Sequence, residues 1–378
     1  MTPALSRLRR GRRRHAGLSL VELMVALLIG SLLIVGAVSV YANSRTTYAV
    51  NEAVARLQEQ GRYALSIVEP DIELAGFYGF TNASDTLHLV RGAAPETVLA
   101  TAAALRQAPI PPAAPAPVPA PGLAGAAQAC GTNFAIDVLV PVQGSNDVFE
   151  LGPAATGACA PFGAGAVDGS DTLTLRRAST LPVDLQAGRL QIFASRLSSQ
   201  KSQRLFVDGV APATIDADNR VHDLLVRSYY VARDAEGRPG FPALRMKALG
   251  SAGGSPAFED TEILAGVEDL QVQFGIDTGD YDNDGVVDPA ADLNDDGIPE
   301  SDGRATRYVN PDFPGLDRLQ VVSVRLWLRV RGERPEPELD DRRTYRYGDV
   351  EYTPAGADRR FRRMLLSRTI MLRNSRTL

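Results

Sequence analysis

Residues 18–41 read LSLVELMVALLIGSLLIVGAVSVY, and this stretch decides how the rest of the chain is placed. It contains one side chain that is charged at neutral pH, Glu22, among mostly apolar and small residues. As an α-helix the stretch would span about 36 Å, which is enough to cross the hydrocarbon core of a bilayer. We therefore expect residues 18–41 to form the transmembrane half of a longer amino-terminal helix.

The segment that precedes this stretch is strongly basic. Residues 1–17 hold six arginines and no acid, and this bias predicts that the amino terminus stays in the cytoplasm while the rest of the chain is exported. Two other interpretations are a secretory signal peptide that is cleaved after Ala42 and a plain membrane anchor. The apolar stretch is longer than the apolar region of a signal peptide, and a plain anchor does not explain Glu22.

Glu22 is an anomaly because a carboxylate in a membrane helix costs roughly 2.5–3.5 kcal/mol on insertion scales and needs a partner. A cut between Gly17 and Leu18 would create an α-amino group that could pair with the Glu22 carboxylate of a neighbouring subunit within the lipid. The run GLSLVE at 17–22 resembles the prepilin cleavage and methylation motif of type IV pilins and type II secretion pseudopilins. Leu18 stands where that motif most often has Phe. The resemblance implies that residues 1–17 are a leader removed by prepilin peptidase and that Leu18 is N-methylated.

An apolar stripe continues the helix beyond the membrane. Apolar or small residues recur at helical spacing from Val50 to Ile72, so residues 42–76 are predicted to form an amphipathic half that packs on a head domain. Pro70 is expected to end or kink this helix. The run ARLQEQGRYAL at 55–65, followed by ELAGF at 73–77, resembles the PilW family of pilus assembly proteins.

β-strand patterns dominate the head, residues 77–378. Apolar and polar residues alternate over 267–276 and 319–330, which favours an antiparallel sheet with one solvated face, so the arginine row at 325–331 is predicted to face solvent. Further strands are predicted at 134–140, 171–177, 189–194, 221–232 and 362–373. The predicted fold class is α+β, a long pilin-type helix packed on a mostly antiparallel β head. Residues 267–276, 319–330 and the ending RRMLLSRTIMLRN also resemble PilW proteins.

Two features of the head indicate a loop and a cross-link. Residues 106–129 contain seven prolines among Ala and Gly, which predicts an exposed loop. Cys130 and Cys159 follow it. An even pair of cysteines in an exported domain predicts a disulfide, and two free thiols are the alternative.

A tandem 12-residue acidic repeat lies within residues 277–303. Each repeat has acid or amide oxygens at positions 1, 3 and 5, Gly at 6 and an acid at 9, an oxygen-rich pattern that suits Ca²⁺. The repeats lack the final Glu of an EF-hand and are similar to the calcium loops of thrombospondin type 3 and dockerin repeats. The alternative is a merely soluble acidic loop. We predict one or two Ca²⁺ ions, with side-chain ligands from Asp280, Asp282, Asp284, Asp288, Asp292, Asn294, Asp296 and Glu300 and carbonyl ligands from Val286 and Ile298.

The composition argues against several other classes of protein. The chain has 378 residues, three His and two Cys, and it contains no Gly-rich phosphate loop ending in Lys-Ser/Thr and no G-x-S-x-G elbow. Its formal net charge is −5, and no second basic cluster stands beside interleaved aromatics as a nucleic-acid face would require. We therefore predict a protein that is not an enzyme and has no nucleic-acid partner.

The resemblance to PilW proteins implies a structural role. It predicts a minor pilin that primes type IV pilus assembly at the fibre tip, starts in the inner membrane with its head in the periplasm, and ends in the fibre at the cell surface. The implied partners are other minor pilins, the major pilin, a tip adhesin and prepilin peptidase, and the implied processes include cell adhesion and twitching motility. Alternatives are a J-type minor pseudopilin of a type II secretion system, or a membrane-tethered exported calcium-dependent adhesin or hydrolase.

Overall fold

A computed structural model gives the fold of most of the chain. It describes residues 19–80, 130, 134–138, 140–151, 157–196, 204–211, 215–216, 218–277, 303–314, 316 and 320–374. In chain order these residues form the helix α1 (Leu20–Glu73) and the strands β1 (Val142–Ser145), β2 (Thr172–Ala178), β3 (Gln191–Ser195), β4 (Arg204–Phe206), β5 (Asn219–Ala232), β6 (Ala243–Ala252), β7 (Ser255–Ala265), β8 (Val267–Asp277), β9 (Arg307–Val309), β10 (Gln320–Arg331), β11 (Tyr345–Tyr347), β12 (Val350–Tyr352) and β13 (Arg363–Met371). One long helix with antiparallel sheets confirms the predicted α+β class.

The chain divides into two compact units, residues 1–55 and residues 56–378. In the first unit, α1 exposes its apolar side chains, and Leu20, Leu27 and Leu33 are 77%, 66% and 69% exposed. The helix is long and apolar enough to cross a membrane. An apolar surface of this kind is stable in lipid and unstable in water.

In the second unit, α1 buries its apolar stripe in the head. Leu57, Ala64, Val68 and Ile72 are almost fully buried in one core with the four-stranded sheet. Gly61 allows a close approach of the helix, because a Cβ at this position would lie 2.5 Å from Cδ1 of Leu366. This packing places the helix directly against β13.

The end of α1 differs from the prediction by a few residues. The helix continues through Pro70 and ends at Glu73. Proline lacks an N–H donor, but its carbonyl still accepts a hydrogen bond from the Leu74 N–H at 3.1 Å, so the last turn continues past it. Gly76 follows at φ +80° and turns the chain away from the helix axis.

The four-stranded antiparallel sheet has the order β13-β10-β8-β9. The predicted alternation of β10 is confirmed, because its apolar residues form one fully buried face: Val322, Val324, Leu326, Leu328 and Val330. The prediction that the opposite face is solvated is wrong at Arg329, which is only 7% exposed. Residues of the β11–β12 hairpin cover this part of the face, and Arg329 lies 3.7 Å from the ring centre of Tyr352.

The second sheet has seven strands, and β5 pairs with β2, β3 and β6. The strands predicted at 171–177, 189–194 and 221–232 correspond to β2, β3 and β5, with small shifts of their ends. The hairpin β6–β7 was not predicted. Its turn lies at Gly253 and Gly254, both at positive φ, and a Gly-Gly pair between two strand patterns is the sequence signal that would have indicated it.

The strand predicted at 134–140 is wrong. Phe134–Ile136 forms a short 3₁₀ turn, and the nearest strand, β1, starts at Val142. The segment lies around Arg176, which is fully buried and donates hydrogen bonds of 2.8 Å to the carbonyls of Phe134 and Val140. The backbone acceptors of the segment are therefore satisfied by a side chain of β2 without a strand partner. The proline-rich segment 106–129 lies outside the described residues.

Candidate functional site

The predicted processing site lies at the start of α1. Gly17 and Leu18 are outside the described residues, and Ser19 precedes the first helical residue. The Ser19 Oγ accepts a hydrogen bond of 3.1 Å from the Glu22 N–H, which caps the helix. The Glu22 side chain is exposed on the helix surface, and no described basic residue pairs with it.

The head holds α1 through a buried carboxylate that the sequence analysis missed. Asp71 is 1% exposed and accepts two hydrogen bonds from Arg177, at 2.9 and 2.7 Å. It also accepts two from Arg227, at 3.0 and 2.9 Å, and one from the hydroxyl of Tyr229. We call Asp71, Arg177, Arg227 and Tyr229 the anchor cluster. It joins the last turns of α1 to β2 and β5, so the helix is fixed by charge as well as by apolar packing.

The charge states of the anchor cluster follow from its geometry. Burial lowers the pKa of Arg227, but the Asp71 carboxylate outweighs that effect and raises this pKa overall. Burial and the Asp71 carboxylate together raise the pKa of Tyr229 well above its usual value. The guanidinium therefore remains charged and the phenol remains a hydrogen-bond donor at neutral pH. Such a network stabilises one position of the helix because each donor has its acceptor.

A second buried cluster fixes the carboxy-terminal strands. Glu268 accepts hydrogen bonds from Arg363, at 2.7 and 2.9 Å, and from Arg329, at 3.1 Å. Asp269 accepts one from the Tyr347 hydroxyl at 2.5 Å. Neighbouring residues in a strand normally face opposite sides, but the pairing of β8 with β10 shifts by one residue between Arg329 and the following position. This bulge brings both carboxylates to the same face.

The turn after α1 is held by buried polar groups. Tyr78 is fully buried and donates a hydrogen bond of 2.7 Å to the Val138 carbonyl. Gly79 has φ +87°, and a Cβ at this position would lie 2.8 Å from the Cβ of Ala194, so only glycine fits. The Gly76–Gly79 turn therefore connects the helix tightly to the core of the head.

The predicted disulfide is confirmed. Cys130 and Cys159 are bonded, with their Cα atoms 5.2 Å apart. Both residues are buried with Phe134 and Ile136 in a second core. In the loop-entropy model a bridge across 29 residues contributes about 3–4 kcal/mol to stability.

The predicted calcium ligands, Asp280 to Glu300, lie outside the described residues. Asp277, the last residue of β8, and Gly303 border this segment, and the Gly303 N–H donates a hydrogen bond of 3.2 Å to the Asp277 carboxylate. Within the part of the chain that the structure describes, no group of three or more His, Cys, Asp or Glu side chains is arranged to hold a metal ion. The calcium site therefore stays a prediction.

The anchor cluster could have been suspected from the sequence. Asp71 lies between Val68 and Ile72 on the apolar stripe, and a carboxylate on a buried helix face requires a basic partner. Its partners Arg177 and Arg227 are more than 100 residues away, at separations of 106 and 156, and no local pattern identifies them.

Comparison with known families gives two matches, one to a motif that marks a class of proteins and one to a particular family. Residues 12–38 match the model of the prokaryotic N-terminal methylation motif. The match includes Gly17, Leu18 and Glu22, and the motif and the long exposed apolar helix agree with a membrane-anchored pilin.

Residues 228–374 match the model of type IV pilus-assembly protein W. The matched part runs from the carboxy-terminal half of β5 through β13 and contains the Glu268 cluster. The two matches confirm the resemblance to PilW and to type IV pilins that bear an amino-terminal methylation motif. Both families are structural rather than enzymatic. No curated protein and no solved structure matches the chain.

Proposed function

We propose that this chain is a minor pilin that primes type IV pilus assembly at the fibre tip. The observation that carries the proposal is a single helix with two different surfaces. Residues 20–55 expose apolar side chains and Glu22, whereas the same helix from Leu57 onward is buried and held by Asp71. A subunit of this kind can lie in a membrane before assembly and can pack its exposed helix among other pilin helices afterwards.

Processing would generate the group that Glu22 lacks. Cleavage between Gly17 and Leu18 by prepilin peptidase removes the basic leader and frees an α-amino group, which is then methylated. In the fibre, the amine of one subunit can neutralise the Glu22 carboxylate of its neighbour. This pairing removes the cost of a lone carboxylate in an apolar surface. Before assembly the head would lie in the periplasm, with the leader in the cytoplasm.

The assembly role is tested by deleting the gene and counting pili by electron microscopy. We expect few or no pili, and loss of twitching motility and adhesion. The wild-type gene should restore all three properties. A strain that carries Gly17→Glu should behave like the deletion, because the precursor stays uncut. Normal pilus numbers with lost adhesion would contradict the assembly role and would indicate an adhesin. The other minor pilins, the major pilin and a tip adhesin are the proposed partners.

A J-type pseudopilin of a type II secretion system is the competing assignment, since it shares the amino-terminal motif. The match of residues 228–374 to type IV pilus-assembly protein W favours the pilus. Secretion of exported enzymes into the medium separates the two assignments. We expect secretion to be unchanged in the deletion strain, and a secretion defect with normal pili would contradict the pilus assignment.

We also propose that the acidic repeat at 280–303 binds one or two Ca²⁺ ions. Ten carboxylates without a basic residue in 277–302 repel one another unless a cation is present. Extracellular calcium modules often bind at about 10⁻⁴–10⁻³ M, which suits a periplasmic or surface-exposed head. Adding millimolar Ca²⁺ to the purified protein should raise its melting temperature, and Mg²⁺ should not substitute fully. A melting temperature that is independent of Ca²⁺ would contradict this proposal.

A further inference from the structure

The face of the four-stranded sheet that is opposite to α1 is covered at one end and open at the other. The β11–β12 hairpin covers Arg329, but beyond it several side chains are half-buried or exposed. We call this set the open patch: Tyr308, Arg325, Trp327, Ser367, Thr369 and Met371. Met371 is 50% exposed, and Trp327 is the only tryptophan in the chain.

The side chains of the open patch are held in place by contacts with one another and with the sheet. Tyr308 pairs with Gly275 of β8, and a Cβ on Gly275 would lie 3.0 Å from Cε1 of Tyr308, so the glycine lets the ring lie on the sheet. The Arg325 guanidinium lies 3.6 Å from the centre of this ring and 6.0 Å from the ring of Trp327. The Nε of Arg325 donates a hydrogen bond of 3.3 Å to Thr369 Oγ1. Stacking and this hydrogen bond hold the guanidinium in one orientation.

Arg325 differs from the neighbouring arginines in its contacts with carboxylates. Arg329, Arg331 and Arg363 all contact the Glu268 carboxylate. Arg325 forms no ion pair with any residue that the structure describes. A stacked, weakly hydrated guanidinium with free N–H groups is well suited to bind a carboxylate in a planar, two-bond geometry. Within the described residues the open patch therefore contains no carboxylate partner for Arg325, and it carries the groups to bind one.

We infer that the open patch is a docking surface for another pilin subunit, which contributes an Asp or Glu carboxylate to Arg325. Tyr, Trp and Arg are the residues that dominate the binding energy of protein interfaces, and Met is enriched at their centres. The Arg325 guanidinium, which pairs with no described carboxylate, supplies the charge complementarity that selects an acidic side chain. The identity of the partner as a pilin rests on the proposed function, whereas the location of the surface rests on the geometry alone.

Photo-crosslinking in living cells tests this inference on the full-length protein. A photoreactive amino acid, p-benzoyl-phenylalanine, replaces Ser367, which is exposed and lies opposite Trp327 in the sheet. We expect an adduct with another pilin subunit, at a peptide that contains Asp or Glu. Arg325→Ala should lower the adduct yield about tenfold, as expected for a residue at the centre of an interface. If the alanine variant does not accumulate in cells, Arg325→Gln is used in its place. Arg325→Gln keeps most of the packing and should lower the adduct yield by a similar factor.

Arg307→Ala is the matched control. Arg307 is also an exposed arginine that stacks on an aromatic ring, 4.7 Å from Phe313, but it precedes Tyr308 in β9 and so faces the other side of the sheet. Its loss should leave the adduct yield unchanged. The inference is overturned by absence of an adduct, by adducts only within the same chain, or by a yield that neither Arg325 variant lowers. Leader cleavage is measured in the same cells, so correct processing without an adduct refutes the docking surface and leaves the proposed function intact.

Discussion

Replacing Asp71 with Asn tests whether the anchor cluster fixes the pilin helix in the head. The substitution keeps the shape of the side chain but removes the charge, which leaves Arg177 and Arg227 without their carboxylate. The Asp71 side chain is 2% exposed, and the side chains of Arg177 and Arg227 are 10% and 31% exposed, so water can compensate only in part. Removing one partner of a buried ion pair costs about 3–5 kcal/mol. For a unit that spans residues 56–378 the loss corresponds to a fall in melting temperature of roughly 4–7 °C.

The assay is urea unfolding of the detergent-solubilised mature protein, followed by near-ultraviolet circular dichroism. The matched control is Glu69→Gln, because Glu69 lies two residues earlier on the same helix and pairs with Arg368 at 2.9 Å on the surface. Exposed ion pairs contribute less than about 1 kcal/mol, so this control should remain close to wild type. A cost below 1 kcal/mol for Asp71→Asn, or an equal cost for Glu69→Gln, would refute the claim that the cluster fixes the helix.

Three other predictions follow from individual carboxylates. Burial raises the pKa of Asp171 to about 7, although two backbone N–H groups oppose the shift. The folded state therefore binds this proton more tightly than the unfolded state, and stability should fall as pH rises from about 4 to about 7, by roughly 3–4 kcal/mol at most. Asp171→Asn should flatten this part of the profile of stability against pH, which is measured by urea unfolding. An unchanged slope in the variant would contradict the raised pKa of Asp171. Glu22→Ala should leave membrane insertion intact but reduce the amount of protein in sheared pili at least several-fold, and full incorporation would argue against pairing with the mature amino terminus. Asp284→Ala should reduce the Ca²⁺-dependent rise in melting temperature, whereas Glu338→Ala, at an exposed position elsewhere, should not; equal responses of the two variants would remove Asp284 from the site.

The local features of the fold were predictable from the sequence. The helix could be predicted because apolar spacing and hydropathy are properties of neighbouring residues, and the burial of Leu57, Val68 and Ile72 followed the expected stripe. The alternation in β10 predicted its buried face for the same reason. The disulfide was predictable because the chain has two cysteines and an amino terminus typical of exported proteins.

The failures arose where distant segments decide the environment. Arg329 appeared solvated because nothing near it in sequence indicates that Tyr352 stacks on it. The position of Glu268 depends on a bulge, which shifts the alternation without leaving a periodic signal. The segment at 134–140 has the composition of a strand, but its carbonyls are bonded by Arg176 from another part of the head. In each case residues that are distant in sequence set the environment of the side chain or segment.

The amino-terminal part of the chain carries features that are common to pilins, whereas the carboxy-terminal part carries features of one family. The amino-terminal motif and the exposed apolar helix are features that any pilin requires to enter a membrane and a fibre. The Glu268 cluster and the open patch lie within the segment that matches type IV pilus-assembly protein W. We expect the partners that distinguish this subunit from other pilins to be recognised by that segment.

The central claim, that this chain is a processed pilin, is tested most directly by mass spectrometry of its mature amino terminus. The protein should be purified from the membrane and from sheared pili of the native host. We expect Leu18 as the first residue, with one methyl group on its α-amino group. A first residue at Met1, or a cut after Ala42 as expected for a secretory signal peptide, would contradict it.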